Sequence, residues 1–233
     1  MPFVPGEAEP VTGRRYRDMF KGVQNANAHF RGLFESMGLR TTSQSHIQHK
    51  WHGPMGGHTL DISLSSIGRW EVGQVHIEIN IPLTVDGLLA VGASVPPLRR
   101  VGMTVFGPIS PHLRSYSHDE GWSRTLLSSA PGSVLVNALE ASAAANEGND
   151  FLYIEPKKLT WIGDILGKDD LWIGAHLRAL VELASTAQTL PAAKAVPDSA
   201  LRRFGPVIAI GLGALVVVLV LLGFAGIWML SNS

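Results

Sequence analysis

Cysteine is absent from all 233 residues of the sequence. Without a thiol, the chain cannot form a disulfide, bind a metal through thiolates or use a cysteine nucleophile. Its 19 basic and 19 acidic residues cancel, so no large net field favours nucleic acid as a partner. Phosphate-binding loops, the dinucleotide glycine fingerprint, the serine-hydrolase elbow, HExxH and EF-hand loops are also missing. We therefore expect a protein that is not an enzyme and needs no cofactor.

The C-terminal part of the chain lacks charge. No ionisable side chain occurs from Phe204 to Ser233, and residues 207–230 read VIAIGLGALVVVLVLLGFAGIWML. A helix rises ~1.5 Å per residue, so ~20 apolar residues are enough to cross the hydrocarbon core of a bilayer. A buried helix of a soluble domain is usually shorter, and an interfacial helix would have a polar face. The sequence predicts a transmembrane helix over residues 204–230 and a short tail over 231–233.

The residues at the ends of this run predict its orientation. Arg202 and Arg203 precede it, and basic residues next to a membrane span are commoner on the cytoplasmic side. Phe204 and Trp228 lie near its two ends, where aromatic rings prefer the headgroup level. Residues 1–13 are polar and proline-rich and lack the pattern of a secretory signal. We expect a single-pass, tail-anchored membrane protein whose N-terminal domain is cytoplasmic.

Small residues recur at four-residue spacing at the start of the predicted span. Gly205, Ala209 and Gly213 fall on one helix face, where small side chains let a second helix approach closely. Glycine and alanine are common in membrane spans in any case, which is the alternative explanation. If the stripe packs a helix, the partners are other integral membrane proteins or a second copy of this chain, in addition to the lipid bilayer.

The rest of the chain predicts one folded domain over residues 14–190, between a flexible arm at 1–13 and a linker at 191–203. Apolar residues at a period of 3.6 predict helices, and alternation at a period of two predicts strands. The predicted helices cover 14–37, 120–129, a segment restarting at Pro131, and a segment from Asp169 or Asp170 to Thr189. The predicted strands cover 43–51, 58–64, 75–81, 88–91, 101–106, 151–154 and 159–162. Because most strands are adjacent in sequence, the expected fold class is α+β, an antiparallel sheet packed with helices, followed by a single C-terminal transmembrane helix.

Histidines are concentrated in one short segment. Four of the nine fall within thirteen residues, and imidazole is a common ligand of zinc, copper and nickel. On a strand, His46 and His52 would lie about 20 Å apart on one face and His49 would point to the other. A hairpin at residues 53–57 could instead place His52 opposite His58. His49, His52 and His58 are weak metal candidates, and the simpler alternative is a set of polar positions on a sheet.

Two further polar segments have both a chemical and a structural interpretation. Ser117, His118, Asp119 and Glu120 are adjacent, and adjacent side chains rarely converge on one substrate atom. An N-cap at Asp119 or Ser117, with Glu120 in the first helical turn, explains the same residues. The pair Arg99–Arg100 could contact anionic headgroups or form a solvated loop.

The uncharged span, the electroneutral domain and the missing catalytic motifs together predict a function. We expect a membrane-anchored, non-enzymatic accessory or scaffold subunit whose cytoplasmic domain and single helix pack against other membrane proteins of a larger complex. A membrane-tethered enzyme, metal-dependent through the histidines, is one alternative. A module that binds lipid or another ligand is a second alternative.

Overall fold

A computed structural model of the chain describes residues 27–45, 48–65, 76–145, 150–164, 168–191 and 193–194. The strands are β1 (Arg40–Gln44), β2 (Gln48–Met55), β3 (His58–Ser65), β4 (His76–Pro82), β5 (Leu89–Gly92), β6 (Thr104–Phe106), β7 (Arg114–Ser117), β8 (Phe151–Glu155) and β9 (Lys158–Asp164). The α-helices are α1 (27–36), α2 (Glu120–Ser128), α3 (Ala130–Ala144) and α4 (Asp170–Thr189). A 3-10 helix covers Pro97–Arg100.

The described strands form one sheet in the order β1-β2-β3-β4-β9-β8-β5-β7-β6. Every neighbouring pair in this order is antiparallel. The hairpin of β8 and β9 is inserted between β4 and β5, so its two strands pair with partners from the first half of the chain. The predicted α+β class with an antiparallel sheet is confirmed.

One face of the sheet carries the main hydrophobic core. In β3, Leu60, Ile62 and Leu64 are buried while Asp61 on the other face is exposed, as the alternation predicts. Buried residues of α1 to α4 belong to the same core cluster as these strand residues, so the helices cover this face. A fully buried leucine or isoleucine contributes roughly 1.5–3 kcal/mol to the free energy of folding relative to an exposed one.

A smaller apolar cluster occupies the opposite face around β5, β7 and β8. It contains Ala90, Tyr116, Phe151 and Tyr153, together with Val95 from the segment that follows β5. The segment 93–103, which includes the 3-10 helix, therefore packs over this face, so the sheet is buried on both sides around β5, β7 and β8.

The predicted strand over 43–51 is wrong, because the chain reverses within it. β1 ends at Gln44, β2 begins at Gln48, and the two strands pair antiparallel. Ser45 stabilises the reversal: its amide donates to the carbonyl of Gln48 at 2.8 Å, and its hydroxyl accepts from the Gln48 amide at 3.0 Å. Serine favours turns through such local hydrogen bonds, and the strand pattern on both sides concealed it.

The second turn lies later than its sequence suggests. Gly53 and Pro54 belong to β2, and the chain reverses at Gly56 and Gly57, whose φ angles are 56° and 83°. Gly53 is needed for a different reason, because a Cβ there would lie 2.8 Å from the carbonyl oxygen of Gly38. The glycines of residues 53–57 thus serve two purposes, close packing and reversal.

Helix termini follow the predicted chemistry. Asp119 caps α2, Ser129 caps α3 with a proline in the first turn, and Asp169 caps α4. After α1, the Leu39 amide donates to the Phe34 carbonyl and the Gly38 amide to the Glu35 carbonyl, with Gly38 at φ 85°. This is a Schellman motif, and it confirms the predicted stop at Gly38.

Strand β7 has no counterpart in the sequence prediction. Its sequence, Arg-Ser-Tyr-Ser, has no apolar alternation, yet its last three residues are buried. The Ser117 hydroxyl is satisfied by donating to the Leu88 carbonyl at 3.1 Å. Pairing with β5 and β6, not the hydrophobicity of the segment, makes it a strand.

Several predictions concern residues outside the described ranges. These are the arm at 1–13, the start of the first helix, nearly all of the linker at 191–203, the span at 204–230 and the tail at 231–233. Within the described ranges, no helix combines the length and the apolar character that crossing a bilayer requires.

Candidate functional site

The structure separates the predicted histidines. His49 is 2% exposed on the helix-covered face, whereas His52 points to the other face, where its Nδ1 lies 2.8 Å from a carboxylate oxygen of Asp61. In the strand register His52 lies opposite Asp61 and His58 lies opposite Met55. The idea that the hairpin pairs His52 with His58 is therefore wrong, because the reversal occurs later than residue 53. His46 lies outside the described residues.

The chemistry available to these rings is limited. His58 Nε2 lies 2.9 Å from the Ser185 hydroxyl of α4, which fastens the start of β3 to that helix. His49 stacks near Trp51, with ring centroids 6.2 Å apart, and its pKa is lowered by burial and then by the nearby charge of Arg31. No group of three or more histidine, aspartate or glutamate side chains in the described ranges could hold a metal ion.

A second buried histidine, which the sequence did not single out, lies on α4. His176 is 4% exposed, stacks on Trp172 with ring centroids 4.5 Å apart, and meets the edge of Trp161 at 4.1 Å. Burial lowers its pKa to about 3, so the ring is neutral at physiological pH. A neutral, enclosed imidazole between two indoles packs the core and offers no access to a substrate.

Asp150, directly before β8, is a buried carboxylate. It is 7% exposed, burial raises its pKa, and one of its oxygens accepts from the Asp164 amide at 3.0 Å. A Cβ at Gly163 would lie 2.8 Å from the Trp161 ring nitrogen and 3.2 Å from the other Asp150 oxygen. Only a glycine lets the strand, the indole and the carboxylate approach this closely.

Ser110, His112 and Glu140 form a surface cluster whose composition resembles a catalytic triad but whose connections do not. The hydroxyl of Ser110 donates to one oxygen of Glu140, and the ring of His112 bonds the other. A nucleophilic serine needs its hydrogen bond to the base, not to the carboxylate that orients the base. Here the glutamate joins the loop before β7 to helix α3.

Two open grooves lie on the helical side. One, of about 580 Å³, is between the β2–β3 turn and α4 and is lined by Met55, Arg178, Val181 and Glu182 among others. The other, of about 550 Å³, lies between residues 108–109, α2 and α3, and Arg124 is its one charged lining residue. His49, Asp150 and His176 line neither groove, so the buried titratable groups do not face these openings.

The Asp119 carboxylate has a second role besides capping α2. One oxygen accepts from the Trp122 amide at 3.2 Å, and the other accepts from the Lys194 amide at 3.0 Å. The bond from Lys194, followed by that from Trp122, lowers the pKa of Asp119. Ala193 is 7% exposed, so the described part of the predicted linker is packed on the domain. The cap was recognisable in the sequence, but the contact with a residue 75 positions later was not.

The predicted Arg99–Arg100 loop is not freely solvated. The Arg99 guanidinium lies 4.9 Å from the ring centroid of Tyr153, and that of Arg100 lies 5.1 Å from the ring of Tyr116. Arg100 Nη1 also donates to the Tyr116 hydroxyl at 3.1 Å. Large apolar side chains are exposed beside the arginines: Leu98 is 63% exposed and Val105 is 70% exposed. We call Leu98, Arg99, Arg100 and Val105 the basic corner.

The predicted helix-packing residues Gly205, Ala209 and Gly213 and the predicted anchors Arg202, Arg203, Phe204 and Trp228 lie outside the described residues. Their roles stay predictions.

Comparison with known proteins shows a likeness in fold. No protein-family model and no curated protein matches the chain. A solved structure, the crystal structure of the mycobacterial trehalose monomycolate transport factor A, TtfA, is similar, with a TM-score of 0.50 and 11% sequence identity. The match covers 73% of this chain and 99% of that chain. At this identity, the comparison shows that the two proteins share a fold.

Proposed function

We propose that this chain is a membrane-anchored, non-enzymatic accessory subunit of a larger membrane complex. Its α+β domain would lie on the cytoplasmic side, and a helix over residues 204–230 would hold it in the bilayer. The observation that carries the proposal is the uncharged run of residues 204–230, preceded directly by Arg202 and Arg203.

The chemistry of the described residues supports a binding role over catalysis. Each buried titratable group has a structural explanation: His49 and His176 pack against indoles, and Asp150 accepts a backbone hydrogen bond. Acid–base catalysis needs titratable groups that converge on an accessible substrate atom. The charged lining residues of the described grooves are Arg178 and Glu182 in one and Arg124 in the other.

The fold likeness favours a particular kind of complex. The similar structure is a transport factor for trehalose monomycolate, and its fold covers most of the domain proposed here. We propose by analogy that the larger complex is a transport assembly, in which this chain contacts integral membrane proteins through Gly205, Ala209 and Gly213. Small residues at this spacing allow close helix packing in lipid.

Gentle solubilisation of native membranes followed by size analysis tests this function. We expect the chain to resist extraction by alkaline carbonate and to migrate with partner proteins in mild detergent. Gly213→Leu should weaken the association, because the larger side chain keeps the partner helix from approaching closely. Ala214→Leu, one position along the same helix and on a different face, is the matched control. A strictly monomeric wild-type chain, or equal behaviour of the two variants, would contradict the proposal.

A further inference from the structure

The chain is fastened to the domain at Lys194. The amide of this residue is held 3.0 Å from the Asp119 carboxylate, and the preceding Ala193 is buried. The Asp119 amide in turn donates to the Ser117 hydroxyl at 2.9 Å. Lys194 is therefore held next to the end of β7, nine residues before the uncharged run begins at Phe204.

The basic corner lies at the same edge of the sheet as Lys194. Thr104 of β6 lies opposite Ser117 in the sheet, and its hydroxyl donates to the Ser117 carbonyl at 3.2 Å. The next residue, Val105, lies opposite Tyr116 and so shares a sheet face with the ring that Arg100 covers. Lys194 and the basic corner therefore lie at the same edge of the sheet, with the Ser117 hydroxyl on the helix-covered face, where it meets Ser123, and Val105 and the arginines on the other face.

The charges at the basic corner favour an anionic partner. The guanidinium of Arg99 has no ion pair among the described residues, and Arg100 uses Nη1 for its tyrosine. The acidic residues that follow β7 are already engaged: Asp119 accepts two backbone amides, and Glu120 lies 2.7 Å from Arg124. Arginines flanked by exposed leucine and valine suit a bilayer surface, where the cation meets phosphate and the apolar side chain enters the interface.

Chain length limits the distance from the corner to the membrane. Nine residues, 195–203, separate Lys194 from Phe204. Even fully extended, they cover about 30 Å at 3.3–3.6 Å per residue. If residues 204–230 span a bilayer, Lys194 is therefore kept within about 30 Å of the headgroups, so the basic corner meets this surface at a high effective concentration.

We propose that the basic corner is a docking surface for anionic lipid headgroups, which holds the domain against the membrane in a fixed orientation. This inference rests on the membrane anchoring proposed above. Leu98 and Val105 would enter the interface, while Arg99 and Arg100 bind phosphates and use Tyr153 and Tyr116 as supports.

Because the chain has no cysteine, a single introduced thiol can report on the distance to lipid. We would place the full chain in nanodiscs with and without phosphatidylglycerol and label Val105→Cys with a fluorophore that lipid-borne headgroup quenchers reach. Thr41→Cys is the matched control, exposed on edge strand β1 at the opposite end of the sheet. We expect quenching at position 105 that depends on phosphatidylglycerol and little quenching at position 41.

A charge variant tests the role of the arginine. Arg99→Gln should lower the ratio of docked to undocked domain roughly fivefold, which corresponds to about 1 kcal/mol for one basic residue near an anionic surface. Arg40→Gln, an exposed arginine on β1, should leave the ratio unchanged.

Three outcomes would overturn the inference. Equal quenching at positions 105 and 41 would show that the domain has no preferred orientation, and quenching independent of phosphatidylglycerol would remove the headgroups as the partner. A signal at position 105 that disappears when each nanodisc holds one copy would show that a second copy of the chain, not lipid, covers the basic corner. A chain that is not retained in nanodiscs at all would refute the proposed anchoring itself, so failure of the two proposals can be told apart.

Discussion

At the scale of single residues, the buried histidine of α4 determines part of the pH dependence of stability. His176 titrates at a pKa of about 3 when folded and near 6.5 when unfolded. Below pH 6.5 the unfolded chain binds a proton that the folded ring rejects, so folding free energy is lost as the pH falls from 6.5 toward 3. Asp150 acts in the opposite direction. Burial raises its pKa, so the folded chain binds this proton more readily than the unfolded chain, and the free energy of unfolding rises as the pH falls.

Replacing this ring tests the effect directly. His176→Phe keeps the aromatic contacts with Trp161 and Trp172 but removes the titration. We expect the free energy of unfolding of the wild type to fall by roughly 2–3 kcal/mol more than that of the variant between pH 6.5 and pH 4.5. Urea unfolding of the full chain in detergent, followed by indole fluorescence, measures the difference. Parallel pH curves for the two proteins would show that the ring is already charged or exposed.

At the scale of elements, Asp119 both caps α2 and accepts a hydrogen bond from the Lys194 amide, and two substitutions separate these roles. Asp119→Asn keeps an oxygen for the Trp122 amide but replaces the second acceptor with a donor, so the Lys194 amide loses its partner. Asp119→Ala loses both bonds and should destabilise the protein by about 0.5–2 kcal/mol through the lost cap. The carboxylate stabilises the fold above its ordinary pKa, and this contribution disappears as the pH falls through its lowered folded value.

Hydrogen exchange at the Lys194 amide is the readout for the second role. In Asp119→Asn we expect faster exchange at this amide and a smaller loss of unfolding free energy than in Asp119→Ala, which loses the helix cap as well. If the Lys194 amide stays protected in Asp119→Asn, the carboxylate is not what holds this amide to the domain.

The elements also show what local sequence can and cannot predict. Alternation identified β3 and β4 because each buries one apolar face, and cap chemistry located α2 and α4 because the signals lie within one turn. β7 stayed invisible because Ser115 and Ser117 are buried by pairing between strands, not by their own hydrophobicity. The reversal at Ser45 was hidden for a related reason, since residues on both sides of it favour strands.

At the scale of the whole molecule, the order of the sheet depends on contacts that no local pattern encodes. The β8–β9 hairpin was predicted, but its insertion between β4 and β5 joins segments about eighty residues apart, such as Asn80 and Thr160. The same limit applies to the site: Arg99 and Arg100 were visible as a basic pair, whereas their support by Tyr153 and Tyr116 required the folded sheet. Sequence reasoning therefore identified the arginines of the basic corner but not their position at the β6–β7 edge of the sheet.

The sidedness of the molecule yields the last prediction. Arg202 and Arg203 place the preceding domain in the cytoplasm if residues 204–230 span the membrane. Leu171 at the start of α4 is 80% exposed, so Leu171→Cys gives the otherwise cysteine-free chain one accessible thiol on that domain. A membrane-impermeant maleimide should label it in inside-out vesicles and in detergent, but not in intact cells. Detergent-treated cells serve as the control for reactivity. Labelling in intact cells would place the domain outside, and the cytoplasmic leaflet could then no longer supply the anionic surface for the basic corner.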